Sequence, residues 1–203
     1  MKKIVLILVF ITCCQVLFAA HSIFNHPLND SNKQAFNQVQ KLLSENTNLE
    51  GQFKQVRHIK VLSSPLESTG NFSISQKSGL HWDQAQPFES KLTVTDDKIV
   101  QIIQNSPPTI ITKEKQPIVF SFTKIFLSVF KGNTPALESY FNIYFSGNIE
   151  HWEIALKPKG SPLDKAIASI ELEGAKYVHT VTIKETRGNT LDIEFLNVKP
   201  ISK

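Results

Sequence analysis

Six histidines and several neighbouring carboxylates are the residues of this sequence that could bind a metal or act as general acids and bases. The histidines do not follow the spacing of metal-binding motifs, and no His-Glu-x-x-His pattern occurs. Asp96 and Asp97 are adjacent at a predicted hairpin tip, where carboxylates usually form solvated turns. Glu171 and Glu173 alternate along a predicted strand and therefore share its outward face. Since no nucleophile elbow or phosphate-binding glycine loop is present either, the sequence predicts no enzyme activity, no metal site and no cofactor.

The charge of the chain argues against a nucleic-acid partner. The formal net charge is +4, and only two arginines, Arg57 and Arg187, occur among scattered lysines. Removal of Lys2 and Lys3 with the N-terminal segment would lower the charge to +2. Because bidentate phosphate and base recognition depends on arginine, nucleic acid is not expected to bind.

The N-terminus has the pattern of a secretory signal peptide. Lys2 and Lys3 precede an apolar run that closes with the small residues Ala19 and Ala20. The run is too short and too interrupted for a stable transmembrane helix. We therefore predict a signal peptide over residues 1–20, with cleavage after Ala19 or after Ala20.

Both cysteines of the chain, Cys13 and Cys14, lie inside this segment. Residues 21–203 would then form a single secreted domain without a disulfide, which must be held by its hydrophobic core. A length of roughly 180 residues is sufficient for such a core. An alternative interpretation is a lipoprotein signal, in which Cys14 would be acylated and would anchor the protein.

The elements that would position these residues are one helix followed by a sheet. Asp30 or Ser31 is predicted to cap a helix that runs to about Ser44, because apolar residues recur there at helical spacing. From about residue 49 onward, short segments alternate between apolar and polar residues and are separated by turns that contain Gly or Asn.

Residues 70–98 are the most regular part of the predicted sheet. Strands at Gly70–Ser75 and Leu80–Gln84 flank a turn, and Trp82 projects from one face. Pro87 interrupts the pairing because proline has no N–H to donate. The same alternation recurs later in the sequence, at Phe141/Ile143/Phe145, Trp152/Ile154/Leu156, Ile170/Leu172, Val181/Ile183 and Leu191/Ile193/Phe195. Many such strands predict an all-β barrel or a strongly curved antiparallel sheet.

The segment Pro117–Phe130 breaks the β pattern and is predicted to be a helix that ends before Gly132. A helical stripe is formed by Ile118, Phe122, Ile125, Phe126 and Val129. Because further apolar residues widen this stripe, the helix cannot lie freely on a soluble domain. It either plugs one end of the barrel as core or forms a lid over a cavity. A short helix over Asn133–Glu138, capped by Thr134, is predicted to follow.

Several motifs occur in a fixed order along the chain: a Phe-x-Gln strand, a Gly-led strand, a Trp strand, a Gln-Pro-x-Glu-Ser bend and a Thr-Asp-x-Lys hairpin. Their positions are Gly51–Gln55, Gly70–Phe72, Trp82, Gln86–Ser90 and Val94–Lys98, and a further segment is Gly132–Pro135. Together these motifs resemble the LolA family, the periplasmic carriers of outer-membrane lipoproteins. The resemblance covers most of the chain after the signal peptide.

The resemblance implies an incomplete antiparallel β-barrel with an N-terminal helix and with internal helices that form a lid over an apolar cavity. It also implies a monomeric periplasmic carrier that binds the acyl chains of lipoproteins and shuttles them from the inner to the outer membrane. An inner-membrane release complex and an outer-membrane receptor would be its partners. The candidate lining and lid residues are Trp82, Phe120, Phe122, Ile125, Phe126, Val129, Phe130, Phe141, Phe145 and Trp152.

One position differs from the family pattern. An arginine that latches the lid by hydrogen bonding is expected after the Gly-led strand, and this sequence has Gln76 there, with Lys77 beside it. An amide can still donate a hydrogen bond, but it carries no charge. Two other functions therefore stay open, namely an interaction or sensor protein with the same fold, and a carrier of a glycolipid or aryl-polyene product.

Overall fold

A computed structural model describes residues 22–75, 77–95, 97–112, 114–115, 127–128 and 134–201 of the chain. The predicted signal peptide, residues 1–20, lies outside the described residues. The strands are β1 (Leu49–His58), β2 (Leu66–Ser75), β3 (Gly79–Gln86), β4 (Ser90–Val94), β5 (Lys98–Ile103), β6 (Thr109–Thr112), β7 (Phe141–Gly147), β8 (Trp152–Pro158), β9 (Ile167–Gly174), β10 (Val178–Glu185) and β11 (Thr190–Pro200). The helices are α1 (Lys33–Glu45) and α2 (Thr134–Tyr140), with 3-10 turns at Ile23–Asn25 and Leu163–Lys165.

The strands form one antiparallel sheet in the order β6-β5-β4-β3-β2-β1-β11-β10-β9-β8-β7. Two meanders, β1–β6 and β7–β11, are joined where the first strand pairs with the last, so that Phe53 lies opposite Phe195. The sheet is curved and does not close, which confirms the predicted incomplete barrel. Within the described residues, no helix has the length and hydropathy needed to cross a bilayer.

Helix α1 begins after a different cap from the one predicted. Asn32 precedes the helix, and neither Asp30 nor Ser31 occupies that position. The side chain of Asn29 accepts a hydrogen bond from the backbone N–H of Ser31 at 2.9 Å, so these residues form a turn that delays the helix. Asn32 in turn donates from Nδ2 to the carbonyl of Phe145 at 3.2 Å, which ties the helix start to β7.

Helix α2 includes Thr134 rather than being capped by it, and extends to Tyr140. The hydroxyl of Thr134 donates to Gln40 Oε1 at 3.4 Å, so this side chain connects α2 to α1. The predicted short helix is therefore confirmed, but its N-terminal cap is not.

Strand β11 is longer than the alternation at Leu191–Phe195 predicted. It continues to Pro200 through a β-bulge opposite Gly51, where the register with β1 shifts. A Cβ on Gly51 would lie 2.9 Å from the carbonyl oxygen of Leu196, so glycine permits the close approach of the two strands.

The sheet buries one face, which we call the inner face, against α1. Phe36 of α1 meets Phe145 of β7 edge to face, with ring centroids 5.5 Å apart. The predicted alternation on β7–β11 is confirmed, since its apolar members are buried or half-buried in the main core. A second, smaller cluster covers the β2–β5 half of the inner face and consists of Leu49, Ile74, Leu80, Val94, Ile99 and Leu127.

Candidate functional site

A cavity of about 440 Å³ lies at one end of the inner face. Its volume is within the range of roughly 300–1,000 Å³ that is typical of small-molecule sites. Five apolar residues line it: Leu163, Ala166, Ile167, Ile183 and Leu191. The polar lining residues are Arg57, Lys165, Glu185, Thr186 and Arg187.

Cross-strand pairing brings the floor of the cavity together. Arg57 of β1 lies opposite Leu191 of β11, and Leu191 lies opposite Ile183 of β10. Directly paired residues of an antiparallel sheet point to the same face, so all three are on the inner face. Arg57 lies two residues from Gln55 on β1, and Leu191 lies two residues from Ile193 on β11. Residues two apart on a strand share a face, so the alternation that buries the core also places Arg57 and Leu191 on the inner face.

The wall of the cavity is the connection between β8 and β9. Leu163 anchors this connection because its side chain is buried in the main core. The hydroxyl of Thr186 donates to the carbonyl of Lys165 at 2.8 Å, and the backbone N–H of Thr186 donates to the carbonyl of Ala166 at 3.1 Å. These bonds hold the β10–β11 turn against the connection and fix the width of the cavity.

An ion pair crosses the end of the floor. Arg57 Nη2 donates a short hydrogen bond to Glu185 Oε1, and both side chains are partly exposed. Glu185 Oε2 accepts a second hydrogen bond from Asn189 Nδ2 at 2.8 Å. The charges of Arg57 and Glu185 neutralise each other. The remaining charged lining residues are Lys165 and Arg187, which give the cavity a positive rim around an apolar floor.

This arrangement can bind an apolar chain but offers no reactive group. Within the described parts of the chain, no group of three or more His, Cys, Asp or Glu residues is placed to hold a metal ion. His151 is exposed beside β8. The lining of the cavity thus combines apolar side chains with charged groups at its rim.

Trp82, the first predicted lining residue, lies on the inner face but away from this cavity. Its ring is half-buried and stacks on Phe53, with centroids 3.7 Å apart and planes inclined at 21°. Phe195 meets the same indole edge to face at 6.1 Å, and Phe72 lies 6.3 Å away. Trp82 also contacts both hydrophobic clusters, so it marks the boundary between the two halves of the inner face.

Phe141, Phe145 and Trp152, also predicted to line a cavity, are fully buried in the main core. Trp152 Nε1 donates to the carbonyl of Ala175 at 2.7 Å. A Cβ on Gly174 would come within 2.4 Å of the indole, which shows how closely the ring is packed. None of these three residues lines the 440 Å³ cavity, and a role for them in contacting cargo stays a prediction.

The predicted lid falls mostly outside the described residues, as do Phe120, Phe122, Ile125, Phe126, Val129 and Phe130. The described part, Leu127 and Ser128, has helical backbone. Leu127 is buried among the inner-face residues of β2–β5, such as Leu80 and Val94. At the latch position, Gln76 is outside the described residues, and Lys77 is exposed in the β2–β3 turn.

The sequence reasoning missed the cavity itself. One feature of the sequence could have indicated it. Arg57 follows Phe53 and Gln55 at alternating positions of one strand, so its side chain must lie on the same inward face. The other lining residues come from the β8–β9 connection and from β10 and β11, whose alternation predicted only buried core.

Comparison with known protein families gives a match over most of the chain. The sequence model of the family described as "Outer membrane lipoprotein carrier protein LolA-like" matches residues 31–192. No curated protein sequence matches the chain.

Solved structures with a similar chain path include a LolA superfamily protein from Nitrosomonas europaea. It is 4% identical, with a TM-score of 0.48, over 84% of this chain and 94% of that protein. A putative outer membrane lipoprotein-sorting protein domain from Vibrio parahaemolyticus is 8% identical, with a TM-score of 0.44, over 84% and 93%. The MucA/MucB complex of Pseudomonas aeruginosa gives 12% identity and a TM-score of 0.39, over 85% of this chain and 58% of that one. Because all three TM-scores are below 0.5, the assignment to a family depends on the sequence match.

Proposed function

Because this chain belongs to the LolA-like family of outer membrane lipoprotein carrier proteins, we propose that it is a carrier that shields the acyl chains of lipidated cargo from water. Proteins of this family are periplasmic carriers rather than enzymes. The cargo in this proposal is a lipoprotein, which the protein takes from an inner-membrane release complex and delivers to an outer-membrane receptor.

The observation that carries the proposal is the apolar cavity at the end of the inner face. Burying a methylene group stabilises a complex by about 0.8 kcal/mol, so transferring a 16-carbon chain from water gains on the order of 12 kcal/mol. A cavity with an apolar floor and no unpaired buried charge can supply much of this gain, because the Arg57–Glu185 pair satisfies its own charges.

Further acyl chains would be covered by the predicted lid, Pro117–Phe130, and by the aromatic residues of the inner face. Leu127 supports this part of the proposal, since it lies buried on the β2–β5 half of that face. Displacing Leu127 would expose apolar residues of β2–β5 to cargo, with Trp82 at the border of the newly opened surface.

The direct test is to fill the cavity without disturbing the core. Ala166 lines the cavity and is exposed at its rim, so Ala166→Trp places a large ring in the cavity at little cost to folding. The matched control is Ala85→Trp, because Ala85 is an exposed alanine on β3 and is not a cavity residue.

The measurement is the affinity of the delipidated protein for a fluorescent fatty acid, together with extraction of an acylated lipoprotein from inner-membrane vesicles. We expect Ala166→Trp to weaken fatty-acid binding at least tenfold and to reduce extraction, and Ala85→Trp to behave as the parent protein. Unchanged binding by folded Ala166→Trp protein would disprove the assignment of the cavity. Acyl binding without any extraction of lipoprotein would instead indicate a lipid sensor.

A further inference from the structure

Exposed aliphatic side chains lie at the end of the sheet where the cavity opens. We call this end the mouth end, defined by the β1–β2 loop (residues 59–65), the β10–β11 turn (residues 186–189) and the β8–β9 connection. Val61 is 88% exposed at the tip of the β1–β2 loop. Leu62 of the same loop and Leu66 at the start of β2 are also exposed large apolar residues. Val61 and Leu62 are adjacent in the loop, and adjoining exposed apolar side chains are typical of an interaction site.

The β1–β2 loop is held beside the cavity by a chain of hydrogen bonds. The backbone N–H of Lys60 donates to Asn189 Oδ1 at 3.1 Å. Asn189 Nδ2 donates to Glu185, which also accepts from Arg57 inside the cavity. Leu66 lies directly opposite Arg57 on the inner face, so the exposed apolar surface is continuous with the cavity floor.

The same end carries basic residues. Lys60, Lys165 and Arg187 are exposed there, and none of the ion pairs between described residues involves them. Asp164, beside Lys165, is the acidic residue of the connection. A projecting aliphatic tip with flanking cations is complementary to a bilayer whose headgroups are anionic, because the cations bind headgroups while the tip enters the acyl boundary.

We propose that the mouth end docks directly on an anionic phospholipid bilayer, with Val61 and Leu62 inserted at the interface and Lys60 and Arg187 on the headgroups. Docking brings the opening of the cavity to the depth at which acyl chains begin. The mouth end would then be the surface on which cargo is exchanged with the membrane, in addition to the cavity that binds it.

The test is cosedimentation of the purified protein with vesicles of phosphatidylglycerol and phosphatidylcholine, compared with vesicles of phosphatidylcholine alone. We expect at least tenfold tighter binding to the anionic vesicles, weakening with salt, because each cation near such a surface contributes roughly a fivefold gain in affinity. The double variant Val61→Glu/Leu62→Glu should lose this binding at least tenfold, and Lys60→Glu/Arg187→Glu should remove the preference for anionic lipid.

Ile149→Glu is the matched control. Ile149 is an aliphatic turn residue that is 50% exposed, and it lies between β7 and β8 at the opposite end of the sheet. Vesicle binding should be unchanged in this variant. An equal loss in Ile149→Glu, or no binding of the parent protein to anionic vesicles, overturns the proposal and favours a protein partner at the mouth end.

The fluorescent fatty-acid assay, run without vesicles, separates docking from cargo binding. Val61→Glu/Leu62→Glu should retain the parent affinity for the fatty acid. If this double variant also loses fatty-acid binding, the assignment of the loop to docking is overturned. If Ala166→Trp alone loses fatty-acid binding, the result supports the assignment of the cavity and leaves the docking proposal unaffected.

Discussion

The stack of Trp82 on Phe53 can be tested by a double-mutant cycle with Phe53→Leu and Trp82→Leu. Leucine keeps each position apolar while it removes the aromatic face, so the coupling free energy reports the ring contact. The centroids are 3.7 Å apart with planes at 21°, a stacked geometry. Such a pair contributes about 0.5–1.5 kcal/mol beyond the burial of its area. We expect a coupling near 1 kcal/mol, and each single variant should lose about 1–3 kcal/mol.

A second cycle provides the comparison. Phe72 lies 6.3 Å from Trp82 with planes at 36°, so Phe72→Leu and Trp82→Leu should couple less strongly. Urea unfolding followed by far-UV circular dichroism measures all variants without relying on the fluorescence of the substituted tryptophan. A coupling below about 0.3 kcal/mol for the Phe53 pair would refute a specific stack, because distant and independent sites already add within that margin.

Two further predictions concern polar groups. Ser68 Oγ is buried on β2 and has no hydrogen-bond partner among the described residues, so Ser68→Ala should raise the free energy of unfolding by about 1 kcal/mol. Ser169 is also buried, and its Oγ donates to Glu171 Oε1 at 3.1 Å. Ser169→Ala should therefore lower the free energy of unfolding by a similar amount in the same urea titration. If both substitutions destabilise, the unpaired state of Ser68 is wrong. The hydrogen bond from Thr95 lowers the pKa of the Asp97 carboxyl, so this group favours folding above its usual pKa and loses that contribution as the pH falls through the lower folded value. Thr95→Val should move the NMR-titrated pKa of Asp97 back upward, and an unshifted titration would contradict the role of Thr95.

The strands were predictable because their information is local. Alternation at Phe141, Ile143 and Phe145 predicts a strand from a few neighbouring residues, and the structure confirms it. The bulge opposite Gly51 was not predictable, because it depends on how closely β11 approaches β1.

The cavity was missed for a similar reason. Arg57 and Glu185, the ion pair at its floor, are 128 positions apart in the sequence. Neither residue has a local pattern that indicates its partner, so only the pairing of β1 with β11 reveals the site. The family motifs, in contrast, consist of turn and strand residues close together, and these residues were sufficient to identify the family.

The pairing of the first strand with the last also constrains the order in which the protein can fold. β1 and β11 are far apart in the sequence, whereas every other pairing between the named strands joins strands that follow one another directly. Each meander can therefore form its hairpins early in folding, but one edge of β1 has no neighbouring strand until Thr190–Pro200 pairs with it. Phe53 and Phe72 remain without Phe195 during that interval. We therefore expect the partly folded chain to be most prone to aggregation before β11 has paired with β1, and a truncation before Thr190 to yield insoluble protein rather than a smaller stable domain.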